Sequence, residues 1–131
     1  MKVNIEGAGS ARHRRITVAV PPRCAAPVSA KPVLLPYIAS KGALTGIMRT
    51  LARALGPDGI SVTAVAPGLT DTPAARTVNT EAQFDGVIDG QALKRRLVPA
   101  DTAAAVAFLA SDGAAAMTGQ ILCADGGLIL R

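Results

Sequence analysis

Tyr37 and Lys41 place a phenol and an ammonium four residues apart in the run Tyr37-Ile38-Ala39-Ser40-Lys41-Gly42-Ala43. On a helix, positions i and i+4 share a face, so both groups could act on one substrate atom. A phenol with its ordinary pKa of about 10 transfers protons poorly at neutral pH. A fixed positive charge beside it favours the phenolate and brings it toward useful proton transfer. The same spacing also arises wherever a surface lysine lies next to a half-buried tyrosine, so the pair alone does not specify catalysis. A second candidate is Pro67-Gly68-Leu69-Thr70-Asp71-Thr72, which follows an apolar run. Glycine lets backbone approach a ligand closely and proline fixes a turn. An ordinary strand-to-loop turn has the same composition.

The elements that must position these residues read as β/α. Leu44, Ile47, Met48, Leu51 and Leu55 recur at helical spacing, which predicts one amphipathic helix over residues 37–55. Gly56 is expected just past its end, with Pro57 beyond. Residues 60–66 are apolar enough for a buried parallel strand, whose carboxyl end is where open α/β sheets bind ligands. A loop is expected through the seventies, and residues 79–97 allow one or two short helices. Pro99 and Asp101 suit the first turn of a helix running to about Ser111. Residues 118–124 read as a last strand, and residues 16–20 as a short one ended by Pro21-Pro22. Strand–helix alternation of this kind implies a parallel sheet with helices packed on it.

Composition narrows the function classes. Half of the 131 residues are apolar, but aromatics are scarce and tryptophan is absent, so packing rests on Ala, Val, Leu and Ile. There is no apolar run of bilayer-spanning length and no signal-like core near Met1, which leads us to expect a cytoplasmic protein without membrane association. Cys24 and Cys123 form no metal-ligand spacing and no disulfide framework, so free thiols and no metal are expected. The net charge of +5 is concentrated in front, where residues 1–36 hold six bases against one acid, Glu6, and five of the nine prolines. The remainder holds eight charges of each sign. That distribution gives no basic groove, and the front segment lacks the stacking residues of single-strand binders, so specific nucleic-acid binding is not expected. Residues 1–32 read as an irregular basic segment and residues 33–131 as the folded part.

Taken in order, the Tyr37–Lys41 pair, Gly56-Pro57-Asp58-Gly59, Ile60–Thr72, Phe108-Leu109-Ala110-Ser111-Asp112, Thr118-Gly119-Gln120 and Asp125-Gly126-Gly127 resemble the C-terminal half of the short-chain dehydrogenase/reductase family. The resemblance implies part of a Rossmann-like, doubly wound parallel sheet and NAD or NADP as cofactor. It implies an alcohol or ketone as substrate and oligomers formed through the face of the Tyr37 helix. It makes Tyr37 the proton donor or acceptor, and has Lys41 lower its pKa and hydrogen-bond the nicotinamide ribose. Pro67 and Gly68 would lie against the nicotinamide. Thr70 would reach the carboxamide through its backbone, and the Thr72 hydroxyl the carboxamide or a phosphate. The motifs at 118–120 and 125–127 would be structural.

The sequence also departs from that family. The glycine-rich phosphate cradle and the residue that selects NAD or NADP belong to an N-terminal half with no counterpart here; Gly7-Ala8-Gly9 is followed by Arg12 rather than completing G-x-G-x-x-G. Asn4 matches the catalytic asparagine in a short segment. The catalytic serine is expected thirteen residues before the tyrosine, where Cys24 stands, and Ser29 has the wrong spacing. A thiol is a weaker hydrogen-bond donor than a hydroxyl. The expectation is a truncated or rearranged reductase, with residues of about 8 to 30 read from altered sequence and with little turnover. The rival readings are a non-catalytic remnant that associates with itself or a full-length relative, and a basic-tailed binding module. In the expected substrate loop, residues 73–97, only Arg76, Phe84 and the Lys94-Arg95-Arg96 cluster stand out, the cluster as a solvated face.

Overall fold

The computed structural model describes residues 14–19 and 35–130. A three-stranded parallel sheet is built in the order β1 (Arg14–Ala19), β2 (Ile60–Pro67), β3 (Ile121–Ala124). Arg14 pairs with Ile60 and Ala19 with Val65 on one side of β2, and Ala64 pairs with Ile121 and Pro67 with Ala124 on the other. The central position explains why β2 is apolar throughout: both of its faces are covered, and Ser61 to Ala66 are all buried.

Among the described residues, four α-helices connect and cover the strands: α1 (Leu35–Leu55), α2 (Pro73–Val78), α3 (Glu81–Gly90) and α4 (Pro99–Leu109). Met48 and Ala52 of α1 pack on Val62 and Ala64, with Leu44, Leu55, Ile16 and Ile121 around them. Leu109 of α4 packs on Val65 from the other face, with Ala105, Val106 and Leu122. Helices on opposite faces of a parallel sheet are the doubly wound arrangement expected. The predicted stripe of α1 is split, because Ile47 and Leu51 face outward while Met48 is only 1% exposed.

Several local expectations are corrected. Gly56 does follow the helix, but the chain makes a 3₁₀ turn through Gly56–Asp58 before Gly59 takes the left-handed conformation (φ 70°). The loop expected through the seventies contains α2, because Thr72 caps it with a hydroxyl accepting from Ala75 N–H at 3.0 Å and Pro73 fits its first turn. The last strand starts at Ile121 rather than at 118. There the Thr118 hydroxyl accepts from Val62 N–H (3.0 Å), and Gly119, at φ 67°, donates to Val62 carbonyl (2.7 Å), so a side chain replaces ladder pairing. The expected strand at 16–20 is seen as Arg14–Ala19. The readings of Asn4, Gly7 to Arg12, Cys24 and Ser29 lie outside the described residues.

Candidate active site

The positions of Tyr37 and Lys41 follow from the core. Tyr37, Lys41, Leu44, Met48, Ala52 and Leu55 succeed one another at intervals of three or four residues on α1, so the stripe that packs on the sheet continues into the pair. The Lys41 Nζ lies 5.7 Å from the centroid of the Tyr37 ring. The helix carries the pair to the carboxyl end of β2, where Tyr37 shares a pocket of about 870 Å³ with Pro67, Gly68, Leu69, Thr70 and Thr72. Every cofactor-side residue expected from sequence except Lys41 lines this one cavity. A pocket of this size falls within the range that holds small-molecule ligands.

The turn after β2 is held from behind. Gly68 N–H donates to Ala124 carbonyl at 2.9 Å, and Asp71 N–H to Leu97 carbonyl at 2.8 Å. A Cβ on Gly68 would come within 2.7 Å of Leu97 Cδ1 and 2.8 Å of Asp125 Cα. Glycine is therefore required for close packing against the Asp125 turn, a reason the sequence reading assigned only to ligand approach. Asp125 is buried, and its carboxylate accepts from Gly127 N–H (3.0 Å) and Ile129 N–H (3.2 Å), which shapes the Asp-Gly-Gly turn. Thr70 bridges to Leu97, yet its own backbone N–H and carbonyl have no partner among the described residues, while its hydroxyl donates to Gly68 carbonyl at 3.1 Å. An amide-sized donor–acceptor pair is thus open at the turn, which fits a carboxamide. The Thr72 hydroxyl is engaged as the cap of α2 and retains its own proton to donate.

The far wall comes from residues that sequence reasoning passed over: Ala74 and Ala75 of α2, Asn79, Gln83 and Val87 of the following segment, and Leu128 and Ile129 beyond β3. One signal was available. Thr80 and Gln83 form a capping box, with Gln83 N–H donating to the Thr80 hydroxyl and Thr80 N–H to Gln83 Oε1, and T-x-x-Q is legible as a helix start.

Lys94 and Arg95 are exposed, as a solvated face would be, whereas Arg96 is half-buried and acts as a clasp. Arg96 donates to Glu81 at 2.7 Å, approaches Asp71 at 3.6 Å, and lies over the Phe84 ring at 4.7 Å. Asp71 also takes a two-pronged bond from Arg76, at 2.6 and 2.8 Å. The bond from Arg76 holds the Asp71 carboxyl below the usual range, and that from Arg96 does the same for Glu81. Arg95 grips Asp101 with two bonds, at 2.7 and 2.9 Å; together with Val98 N–H this lowers the Asp101 pKa to about 2. Phe84, expected to mark the substrate loop, is buried beneath Arg96 instead.

Residues 25–129 match the family model described as enoyl-(acyl carrier protein) reductase. The chain is 47% identical over 90 residues to a 3alpha-hydroxysteroid dehydrogenase of Mediterraneibacter gnavus, covering 69% of this chain and 36% of that protein. It is 42% identical over 94 residues to a D-xylose 1-dehydrogenase of Caulobacter vibrioides, covering 72% of this chain and 38% of that protein. Among solved structures, a short chain dehydrogenase from Burkholderia cenocepacia in complex with NADP superposes with a TM-score of 0.76 at 34% identity, over 88% of this chain and 46% of that one. The chain thus spans less than half the length of the proteins it matches. A family match across most of the sequence, joined to a shared fold, makes this chain a member of the short-chain dehydrogenase/reductase family.

Proposed function

We propose that this chain carries the nicotinamide and substrate side of an NAD(P)(H)-dependent oxidoreductase site that interconverts an alcohol and a ketone. The observation that carries the reading is the single pocket shared by Tyr37 and the Pro67–Thr72 turn. When bound, the nicotinamide exchanges a hydride with the substrate carbon. Tyr37 gives a proton to the substrate oxygen in reduction and takes it back in oxidation, and the Lys41 ammonium favours the phenolate. Pro67 and Gly68 would lie against the nicotinamide. Thr70 N–H and carbonyl would hold the carboxamide, and the Thr72 hydroxyl would donate to the carboxamide or a phosphate. The cofactor of this reading is NAD or NADP.

Titration of the purified chain with NADH and NADPH, following nicotinamide fluorescence, tests this. Saturable binding at micromolar concentrations, weakened about tenfold or more by Lys41→Ala, is the expected result for a charge-assisted bond to the ribose. A folded chain that binds neither nucleotide overturns the reading.

A second reading, association without catalysis, is favoured by one observation: Ile47 and Leu51 leave an apolar outer face on α1, at 53% and 36% exposure. In that reading the helix joins the chain to a second copy or to a full-length relative.

A further inference from the structure

Two features of the pocket wall go beyond cofactor chemistry. Apart from the Tyr37 phenol, no ionisable side chain lines the cavity among the described residues. Lys41 lies over the Tyr37 ring outside the lining, and two arginines near the wall are taken up elsewhere: Arg76 is held by Asp71, and Arg96 by Glu81 and Asp71. A carboxylate or phosphate on a substrate would lose its hydration here without gaining a cation from the wall. A polyol would find few partners beyond the Thr70–Thr72 turn, Asn79 and Gln83, because the side chains of Leu69, Ala75, Val87, Leu128 and Ile129 offer hydroxyls none.

The second feature is a pair of half-used amides. Asn79 Nδ2 donates to Ala75 carbonyl at 2.9 Å, which fixes Nδ2 as the bonded end and leaves Oδ1 as an acceptor without a partner among the described residues. Gln83 Oε1 accepts from Thr80 N–H at 2.8 Å, which leaves Nε2 as a donor without one. Both side chains line the same cavity as Tyr37. Away from the Thr70–Thr72 turn, which the cofactor reading assigns to the carboxamide, this one side-chain donor and one side-chain acceptor match a single hydroxyl or carbonyl group remote from the reacting carbon.

We propose that this pocket takes an uncharged, largely apolar alicyclic alcohol or ketone that carries a second hydroxyl or carbonyl, and that Asn79 and Gln83 read that second group. The inference rests on the assignment of the cavity as the alcohol/ketone site, but its test needs no cofactor. Tyr37 is the chain's single tyrosine and tryptophan is absent, so intrinsic emission reports directly on the pocket.

The experiment titrates the 131-residue chain with four probes at neutral pH: 2-decalone, decalin-2,6-dione, decalin-2-carboxylate and glucose. The expected order places the dione about fivefold tighter than the monoketone, from the added hydrogen bonding. The carboxylate and glucose are expected at least about tenfold weaker than the monoketone. Gln83→Glu keeps an oxygen to accept from Thr80 N–H, so the start of α3 stays capped, but it removes the donor that a second carbonyl needs. In that variant the dione is expected to lose its advantage over the monoketone. Carboxylate or glucose binding as tightly as 2-decalone overturns the proposal, a result that needs no variant. So does an undiminished preference for the dione in folded Gln83→Glu, or the absence of a saturable response to either decalin ketone. Nucleotide binding without a decalin response would remove the substrate class and leave the cofactor reading intact; the reverse pattern would do the opposite.

Discussion

Gly68 shows how one residue can belong to the site and to the core together. Its missing side chain accommodates Leu97 and the Asp125 backbone, at distances no Cβ tolerates. Gly68→Ala is therefore expected to cost about 1–3 kcal/mol through overpacking. A thermal unfolding curve checks this, and an unchanged midpoint would show that the Asp125 turn yields freely. Tyr37 and Lys41 separate in their expected effects. Tyr37→Phe keeps the ring in the pocket wall and removes the transferable proton, so nucleotide affinity should persist while any ketone reduction falls by about 10²–10⁴-fold. Stopped-flow loss of NADPH absorbance against the nucleotide titration distinguishes the two.

At the scale of elements, the pocket's far wall depends on a chain of short pieces joined by charge. Arg96 ties the turn after β2 to the start of α3, and Arg95 ties the segment before α4 to Asp101. Neither α2, with six residues, nor α3, with ten, is long enough to be stable by itself in water. Their caps and ion pairs orient them. Thr80→Ala removes the α3 cap and is expected to cost about 1 kcal/mol in chemical denaturation. Asp101 has its pKa lowered from the usual 3.8 to about 2, so its bonds stabilise the fold above the ordinary carboxylate range. That contribution is lost as pH falls from about 4 through 2. Asp101→Asn should flatten part of the decline in melting temperature across this window and leave the remainder, to which Asp71 and Glu81 contribute with the same sign. A variant that loses stability in parallel with the parent at every pH would refute the assignment.

For the molecule as a whole, the sheet separates two small clusters of buried side chains, one under α1 and one under α4. Met48 is the largest side chain of the first, and Met48→Ala is expected to cost about 2–5 kcal/mol. The loss should spread to the pocket, because α1 carries Tyr37 on the same stripe. Beyond β1, no further strand is paired among the described residues. An unpaired strand edge and an apolar outer helix face both favour association. Ile47→Glu places a charge on that outer face without touching the buried side, so sedimentation velocity should show smaller species than the parent if copies meet through α1. An unchanged distribution would place contacts elsewhere.

Much of this was determined by the sequence alone. The period of Leu44, Ile47, Met48, Leu51 and Leu55 indicated a helix over 37–55 with Tyr37 and Lys41 on one shared face, and the apolar run at 60–66 indicated a buried strand leading into Pro67-Gly68. These are local consequences of backbone geometry, in which side chains three or four apart, or two apart, share a face. The tertiary structure alone decided the rest. It brought the segment after α2 and residues 128–129 against Tyr37, and turned Arg96 from a solvated cation into a clasp. It also gave Gly68 a packing role. Such effects depend on contacts between residues distant in the chain, which periodicity does not encode. Short helices such as α2 add a further limit, since their stability comes from what they pack against rather than from their own residues.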